Sequence, residues 1–444
     1  MPETAASPAP TRVRYLVLTT LFVVTTLNFA DRATLSIAGP AAAGQLGLNA
    51  VAMGYVFSAF GWAYVFGQIP GGVLLDRFGS KNVYTLSILA WSVVTALQGF
   101  VGYFGPTAAL TALFSLRLLL GLAESPSFPG NSRIVAAWFP TRERGTASAI
   151  FNAAQYFATV LFAPLTGWLT HTYGWQYVFW VMGSLGVFLT FLWVKTIHRP
   201  REHPLVNKTE LEYIERGGGL IDMDRPAIAA RAGGPNWSHV KQMLANRMLL
   251  GIFLGQYCIT TLTYFFLTWF PVLLVEERHL SILKAGFAVS LPALCGFFGG
   301  VLGGLFSDYL LKRGHSLAVA RKVPIVVGML LSVSMIVCNY VQAVWLVVAI
   351  MSLAFFGKGI GSLGWAVVSD TAPKDAAGRC GGLFNMFGNT AAITTPTVIG
   401  YIVQGTKSFN GALVFVAANA ATAIVCYLFV VGDIKRVELR KEPA

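Results

Sequence analysis

Apolar stretches long enough to cross a bilayer recur twelve times along this chain, at roughly 15–38, 52–75, 82–102, 107–137, 146–170, 175–196, 248–274, 284–310, 323–341, 343–369, 379–404 and 409–432. About 20 helical residues at about 1.5 Å rise cover the ~30 Å hydrocarbon core, and a lone segment in lipid satisfies its backbone only as a helix. The chain is therefore expected to be an all-α membrane protein with twelve transmembrane helices. At 55% hydrophobic and 11% charged over 444 residues, it is too apolar for a set of soluble domains.

The net charge of +13 does not indicate nucleic acid, because Lys and Arg collect in alternate connecting segments and no nucleic-acid motif accompanies them. Arg12, Arg14, Arg77, Lys81, Arg142, Arg144, most of 197–247, Lys312, Arg313 and the C-terminal tail fall on one side of the membrane, and only Arg278, Lys284 and Lys407 on the other. The excess of Lys and Arg marks the cytoplasmic side, which holds both termini. Residues 1–14 read as a disordered cytoplasmic N-terminus, 15–196 and 248–432 as two six-helix halves, 197–247 as a cytoplasmic linker and 433–444 as a cytoplasmic tail. The first apolar stretch is too long for a signal-peptide core and reads as a retained span.

Several function classes lose support. Cys258, Cys295, Cys338, Cys380 and Cys426 are scattered singly with no CxxC pair, and the histidines lie mainly in loops or near span ends, so disulfide, redox and metal readings are weak. An integral-membrane enzyme would need a clustered nucleophile and base. A Walker-type phosphate loop is missing too, which disfavours ATP-driven pumping.

An internal repeat organises the chain. GGVLLDRFG at 71–79 recurs as GGLFSDYLLKRG at 303–314, with Asp76 matching Asp308 at an offset of 232. Pro140, Gly145, Asn152 and Gly167 match Pro373, Gly378, Asn385 and Gly400 at an offset of 233. Two tandem halves in one orientation imply a pseudo-two-fold axis along the membrane normal and a site where the halves meet near midplane.

Within the first stretch, Asn28-Phe29-Ala30-Asp31-Arg32 places a carboxylate and a guanidinium in oil. Each costs about 2.5–3.5 kcal/mol at the centre of a span on insertion scales, so the pair must face protein or a wet cavity. Either it forms a transport site, or it locks the bundle by pairing with neighbouring helices. Arg117 and Glu124 lie seven residues apart on one face of the fourth stretch, about 10 Å along the axis, too far to pair with each other. Asp31 is the expected partner of Arg117. Pro126 and Pro129 should kink or unwind the helix after Glu124. Burial and a nearby guanidinium act oppositely on a carboxylate's proton affinity, so Asp31 and Glu124 suit proton coupling; the alternative for Glu124 is a fixed structural partner. Arg32, charged at every relevant pH and able to meet a carboxylate bidentately, is the best candidate substrate ligand.

Gly72-x-x-x-Asp76-Arg77-x-Gly79-x-Lys81 resembles the cytoplasmic signature of the major facilitator superfamily, with Asp308, Lys312 and Arg313 as a second copy. Asp76, Arg77 and Asp308 are then expected to form a cytoplasmic gate of ion pairs between the halves. NFADRATLSIA (28–38), MGYVFSAFGWAYVFGQIPGG (53–72), AESPSFPGNSRIVAAWFPTRERGTASAIFN (123–152) and FFGKGIGSLGWAVVSDTAPK (355–374) resemble the anion:cation symporter branch, most of all its galactarate/glucarate proton symporters. The resemblance implies proton-coupled uptake of sugar diacids by alternating access across the bacterial inner membrane, by a monomer, with no cofactor beyond the co-transported proton. An exchanger or symporter for another organic anion, such as an aldonate or hexuronate, is the nearest alternative. It also implies that Asp31 and Glu124 sense protons and that Tyr64, Gln155, Gln256, Trp365, Ser369, Thr371, Asn385 and Asn389 line the sugar-acid site. Their amides and hydroxyls suit a polyol, although such groups also serve simply to bond neighbouring helices.

Lys358 extends this reading. At an offset of 233 it matches Ser125, next to Glu124, so the tenth stretch carries a cation at the depth where the fourth carries its acid. It is expected to select diacids by meeting the second carboxylate; the alternatives are a backbone carbonyl partner or snorkelling to an interface.

Overall fold

The computed structural model describes residues 9–140, 143–223, 237–373 and 377–439, and all regular structure among them is helical. Six spans form the first half: Val13–Leu46, Ala50–Phe78, Ser80–Gln98, Pro106–Glu124 continued by Ser127–Trp138, Arg144–Thr172 and Trp175–Thr196. Six more form the second: Arg247–Thr268 continued by Phe270–Glu276, Ile282–Lys312, Leu317–Val333, Val344–Ile360 continued by Gly364–Thr371, Ala377–Asn389 continued by Ala391–Thr406, and Asn410–Val425. Eleven candidate membrane spans result, and the eleventh rod in chain order, broken at Thr390, completes the twelve.

The fourth span breaks at Ser125 and Pro126, directly after Glu124. The first helix runs eight residues past its expected end at residue 38, to Leu46, and stops at Gly47, whose left-handed φ of 67° closes the helix with a bond from its N–H to the Ala43 carbonyl. Hydropathy fades after Ala38, but Ala41, Ala42 and Ala43 retain the strongest helix propensity, so the helix outlasts its apolar signal.

The halves meet most extensively along two contacts, the second span against the eleventh and the fifth against the eighth. Under a six-span repeat these contacts are equivalents of each other. Glycines make both possible: a Cβ on Gly54 would lie 2.8 Å from the Pro396 carbonyl, one on Gly400 2.8 Å from the Ala50 carbonyl, and one on Gly286 2.6 Å from the Ala163 carbonyl. Backbones in such contact separate only by moving as whole helices.

The glycines of the eighth span divide by face. A Cβ on Gly299 would run into the Phe356 carbonyl and one on Gly303 would lie 2.5 Å from the Ile360 carbonyl, both on the tenth span, whereas nothing lies within 4 Å of one on Gly304. We therefore predict that Gly299→Ala lowers stability by about 1–3 kcal/mol, the usual cost of overpacking, while Gly304→Ala changes it by less than about 0.5 kcal/mol. Thermal unfolding of the two purified variants in detergent tests this; equal melting temperatures would contradict the assignment of faces.

The segment between the halves is more than a tether. Helix Lys208–Arg216 docks on the start of the first span, where buried Glu210 accepts from the Val13 and Arg14 N–H groups at 3.0 and 3.3 Å, from the Thr11 hydroxyl at 2.6 Å and from the Arg14 guanidinium at 3.0 Å. A carboxylate from a different element thus caps the first helix and offsets its dipole. Thr11, Val13 and Arg14 are held by these bonds, whereas a disordered arm was expected over 1–14; residues 1–8 lie outside the described residues. The tail is docked as well, with Arg436 donating to the Ala372 and Ser369 carbonyls at the end of the tenth span.

Candidate functional site

At the middle of the first half, Gly121 lets the fourth span touch the second, since a Cβ there would strike the Phe60 carbonyl. This approach wraps Phe60 and Tyr64 of the second span and Arg117 and Glu124 of the fourth around Arg32. Its Nε donates to Glu124 Oε2 at 2.8 Å and its Nη2 to Asn28 Oδ1 at 2.9 Å. The guanidinium lies 4.8, 4.8 and 4.6 Å from the ring centres of Phe29, Phe60 and Tyr64. Rings on several sides stabilise the cation where water is excluded.

The pairing departs from expectation. Arg117 makes no ion pair with Asp31; its Nη2 reaches the Arg32 carbonyl at 3.5 Å, and its Nε and Nη1 have no hydrogen-bond partner. Neither oxygen of Asp31 has one among the described residues, although the residue is 2% exposed. Arg117, Arg32 and Glu124 all lie within its electrostatic reach. Successive helical residues diverge by about 100°, so when Arg32 turns to Glu124, Asp31 points elsewhere. Two acids and two guanidiniums balance when all are ionised. Protonating either acid leaves one positive charge uncompensated, which an anion can neutralise. A buried carboxylate left without hydrogen bonds calls for a functional reason, since such groups are costly in a purely structural role.

The remaining residues are placed differently from one another. Asn385 donates to Gln68 Oε1 at 3.1 Å across the halves, Asn389 donates to Asn385 Oδ1 at 3.0 Å, and the Tyr264 hydroxyl donates to Asn389 Oδ1 at 3.1 Å. Tyr264 lies in turn within electrostatic reach of Arg32, which links the network to the charge cluster. Gln155 lines a cavity of about 40 Å³ between the halves, together with Phe29, Ser36, Thr159, Thr263 and Phe355. Gln256 donates to the Thr260 hydroxyl at 3.1 Å and packs beside Gly364 and Gly388. Trp365 is exposed and sets its ring on Phe384, and Ser369 is exposed with its hydroxyl on the Trp365 carbonyl. Thr371 is not brought to the cluster: it is buried and donates to the Val367 carbonyl of its own helix.

Tyr264 and Gln68 complete the site without having been singled out by sequence, and Asn28, named there only as the start of the Asp31–Arg32 stretch, joins it as a partner of Arg32. A lone Tyr or Gln in a span was the signal available. Lys358 is 4% exposed, with Nζ 3.5 Å from the Tyr156 hydroxyl and beside the rings of Tyr156 and Phe355.

On the terminus-bearing face, the expected gate pairs are absent among the described residues. Arg77 is exposed over the ring of its neighbour Phe78, and Asp308 is exposed without an ion pair; the side chain of Asp76 lies outside the described residues. Within the second half on this face, Arg321 bonds Asp370 at 2.8 Å and donates to the Ser307 hydroxyl at 2.8 Å. On the opposite face a cavity of about 620 Å³ opens among the ends of the first, second, seventh and eleventh spans.

Comparison with known proteins agrees with this architecture. The chain is 64% identical over 432 residues to the "Probable galactarate/D-glucarate transporter GudP" of Bacillus subtilis (strain 168), covering 97% of this chain and 95% of the relative. It is 61% identical to the protein of the same name from Escherichia coli (strain K12), covering 97% and 96%. Among solved structures, a bacterial homologue of the human lysosomal transporter Spinster, inward-facing and unoccupied, superposes with a TM-score of 0.69 at 17% identity, covering 96% of each chain. The Major Facilitator Superfamily profile matches residues 21–320. Two six-span halves joined by equivalent contacts and a sequence matching that profile over most of the first half and into the second lead to one conclusion: the chain belongs to the Major Facilitator Superfamily of membrane transporters, and it is not an enzyme.

Proposed function

We propose that the protein is a proton-coupled symporter that takes up sugar diacids of the galactarate and glucarate class across the bacterial inner membrane by alternating access. Membership of the superfamily and the names of relatives at 61–64% identity support the solute class. The single observation that carries the coupling is the closed Arg32–Glu124 pair beside an unbonded Asp31. A proton on Glu124 weakens that pair and frees the Arg32 fork for a substrate carboxylate. Asp31, the other buried acid, has both oxygens free of hydrogen bonds among the described residues and is the second group on which a coupled proton resides. Proton and anion thus enter together because either alone leaves buried charge unbalanced.

Both termini lie in the cytoplasm by the distribution of Lys and Arg, and one chain suffices because both halves of the site come from it. The cavity between the halves is about 40 Å³, room for about one water, so a six-carbon acid enters only when the halves tilt apart. Reconstituted vesicles supply the test. Labelled galactarate should accumulate under an inwardly directed proton gradient and should stop accumulating when an ionophore collapses it. Uptake of galactarate indifferent to the gradient would leave an exchanger or uniporter; no uptake of any sugar acid would reject the reading.

A further inference from the structure

Lys358 is a buried cation that the charge cluster does not use. Both alternatives to a ligand role fail among the described residues: its ammonium bonds no backbone carbonyl, and at 4% exposure it does not reach an interface. Among the described residues its one polar contact is the Tyr156 hydroxyl at 3.5 Å, on the fifth span and hence on the other half. The position is built. Close backbone contact between the eighth and tenth spans brackets it, with Gly299 against Phe356 on one side and Gly303 against Ile360 on the other.

Its place relative to Arg32 is equally specific. The central cavity is lined by Phe29, Tyr156, Phe266 and Phe355. Arg32 lies 4.8 Å from the centre of the Phe29 ring, and Lys358 5.2 and 5.4 Å from those of Phe355 and Tyr156. Each half therefore presents one cation to rings that wall the same space. Opening the halves for a solute must separate Lys358 from Tyr156, and an ammonium in oil then needs an anion.

Charge counting points the same way. Apart from the Arg14–Glu210 pair and His203 near the terminus-bearing face, the buried acidic and basic side chains described are Asp31 and Glu124 against Arg32, Arg117 and Lys358. With both acids ionised the surplus is one positive charge. Loading one proton makes it two, which a dianion neutralises and a monoanion does not.

We propose that Lys358 is the second carboxylate anchor, a specificity-determining residue that, with Arg32, selects acids charged at both ends over acids charged at one. The inference rests on the sugar-acid reading of the previous section and deepens it. The test is binding of galactarate and of galactonate, its one-carboxylate counterpart, to purified protein by calorimetry. Wild type should prefer galactarate by about tenfold or more, the scale of one charge-assisted bond. Lys358→Gln should lower that preference at least tenfold, and Lys358→Arg should restore part of it.

Equal losses for both acids in Lys358→Gln would show a structural role and overturn the proposal, as would no loss. The wild-type preference keeps the test decisive if the variant shows no melting transition, because binding both acids alike overturns the proposal and leaves the transport reading standing. Binding neither acid would instead reject that reading itself.

Discussion

Asp31→Asn is expected to abolish proton-driven accumulation. The side chain is almost fully buried and neither oxygen is hydrogen-bonded among the described residues, so an amide of the same size fits the space and removes only the ability to carry charge. Each coupled proton moving down one pH unit supplies about 1.4 kcal/mol, about tenfold in concentration. In vesicles with one unit imposed, the ratio of internal to external galactarate should fall from about tenfold or more in wild type to about one in the variant. Counterflow exchange of labelled for unlabelled substrate should remain measurable, because exchange needs no net proton movement. A variant that still accumulated tenfold would leave Glu124 as sole carrier of the coupling.

Arg32→Lys should lose substrate affinity by about 10–100-fold, the equivalent of one charge-assisted hydrogen bond. The change keeps the positive charge, so the loss isolates geometry. A planar guanidinium can bond Glu124 and Asn28 while lying against Phe29, Phe60 and Tyr64; an ammonium is a point charge with no flat face for those rings and no fork for a carboxylate. Binding calorimetry on the folded variant reads the effect. Unchanged affinity would mean that the substrate carboxylate meets another cation, with Arg117 next in line because two of its nitrogens have no hydrogen-bond partner.

The two predictions separate roles that one buried cluster combines. Loss of coupling with exchange retained assigns Asp31 to the proton. Loss of affinity with charge retained assigns Arg32 to the anion. Results on Lys358 then bear on which anions are accepted, independently of both.

What was legible in the chain and what was not divides along the range of the forces involved. The twelve spans and the two halves were readable because insertion into lipid depends on about 20 consecutive residues and on charge at their flanks, and the repeat was readable because Asp, Pro, Asn and Gly recur in register. Asp31, Arg32, Arg117, Glu124 and Lys358 stood out for an equally local reason, the cost of charge in an apolar run. Their partners did not. Arg32 and Glu124 are 92 residues apart in the chain, and which of two adjacent side chains faces the fourth span follows from how the first helix is rotated in the bundle. The same holds for Gly299 and Gly304, alike in motif yet one against a neighbouring backbone and the other against nothing. Tyr264 and Gln68, ordinary in their own helices, enter the site through Asn385 and Asn389 on the eleventh span. Lipid reads a sequence segment by segment, and so it settled what crosses the membrane; packing between helices reads faces and distances, and so it alone decided which charges meet and where a solute can be held.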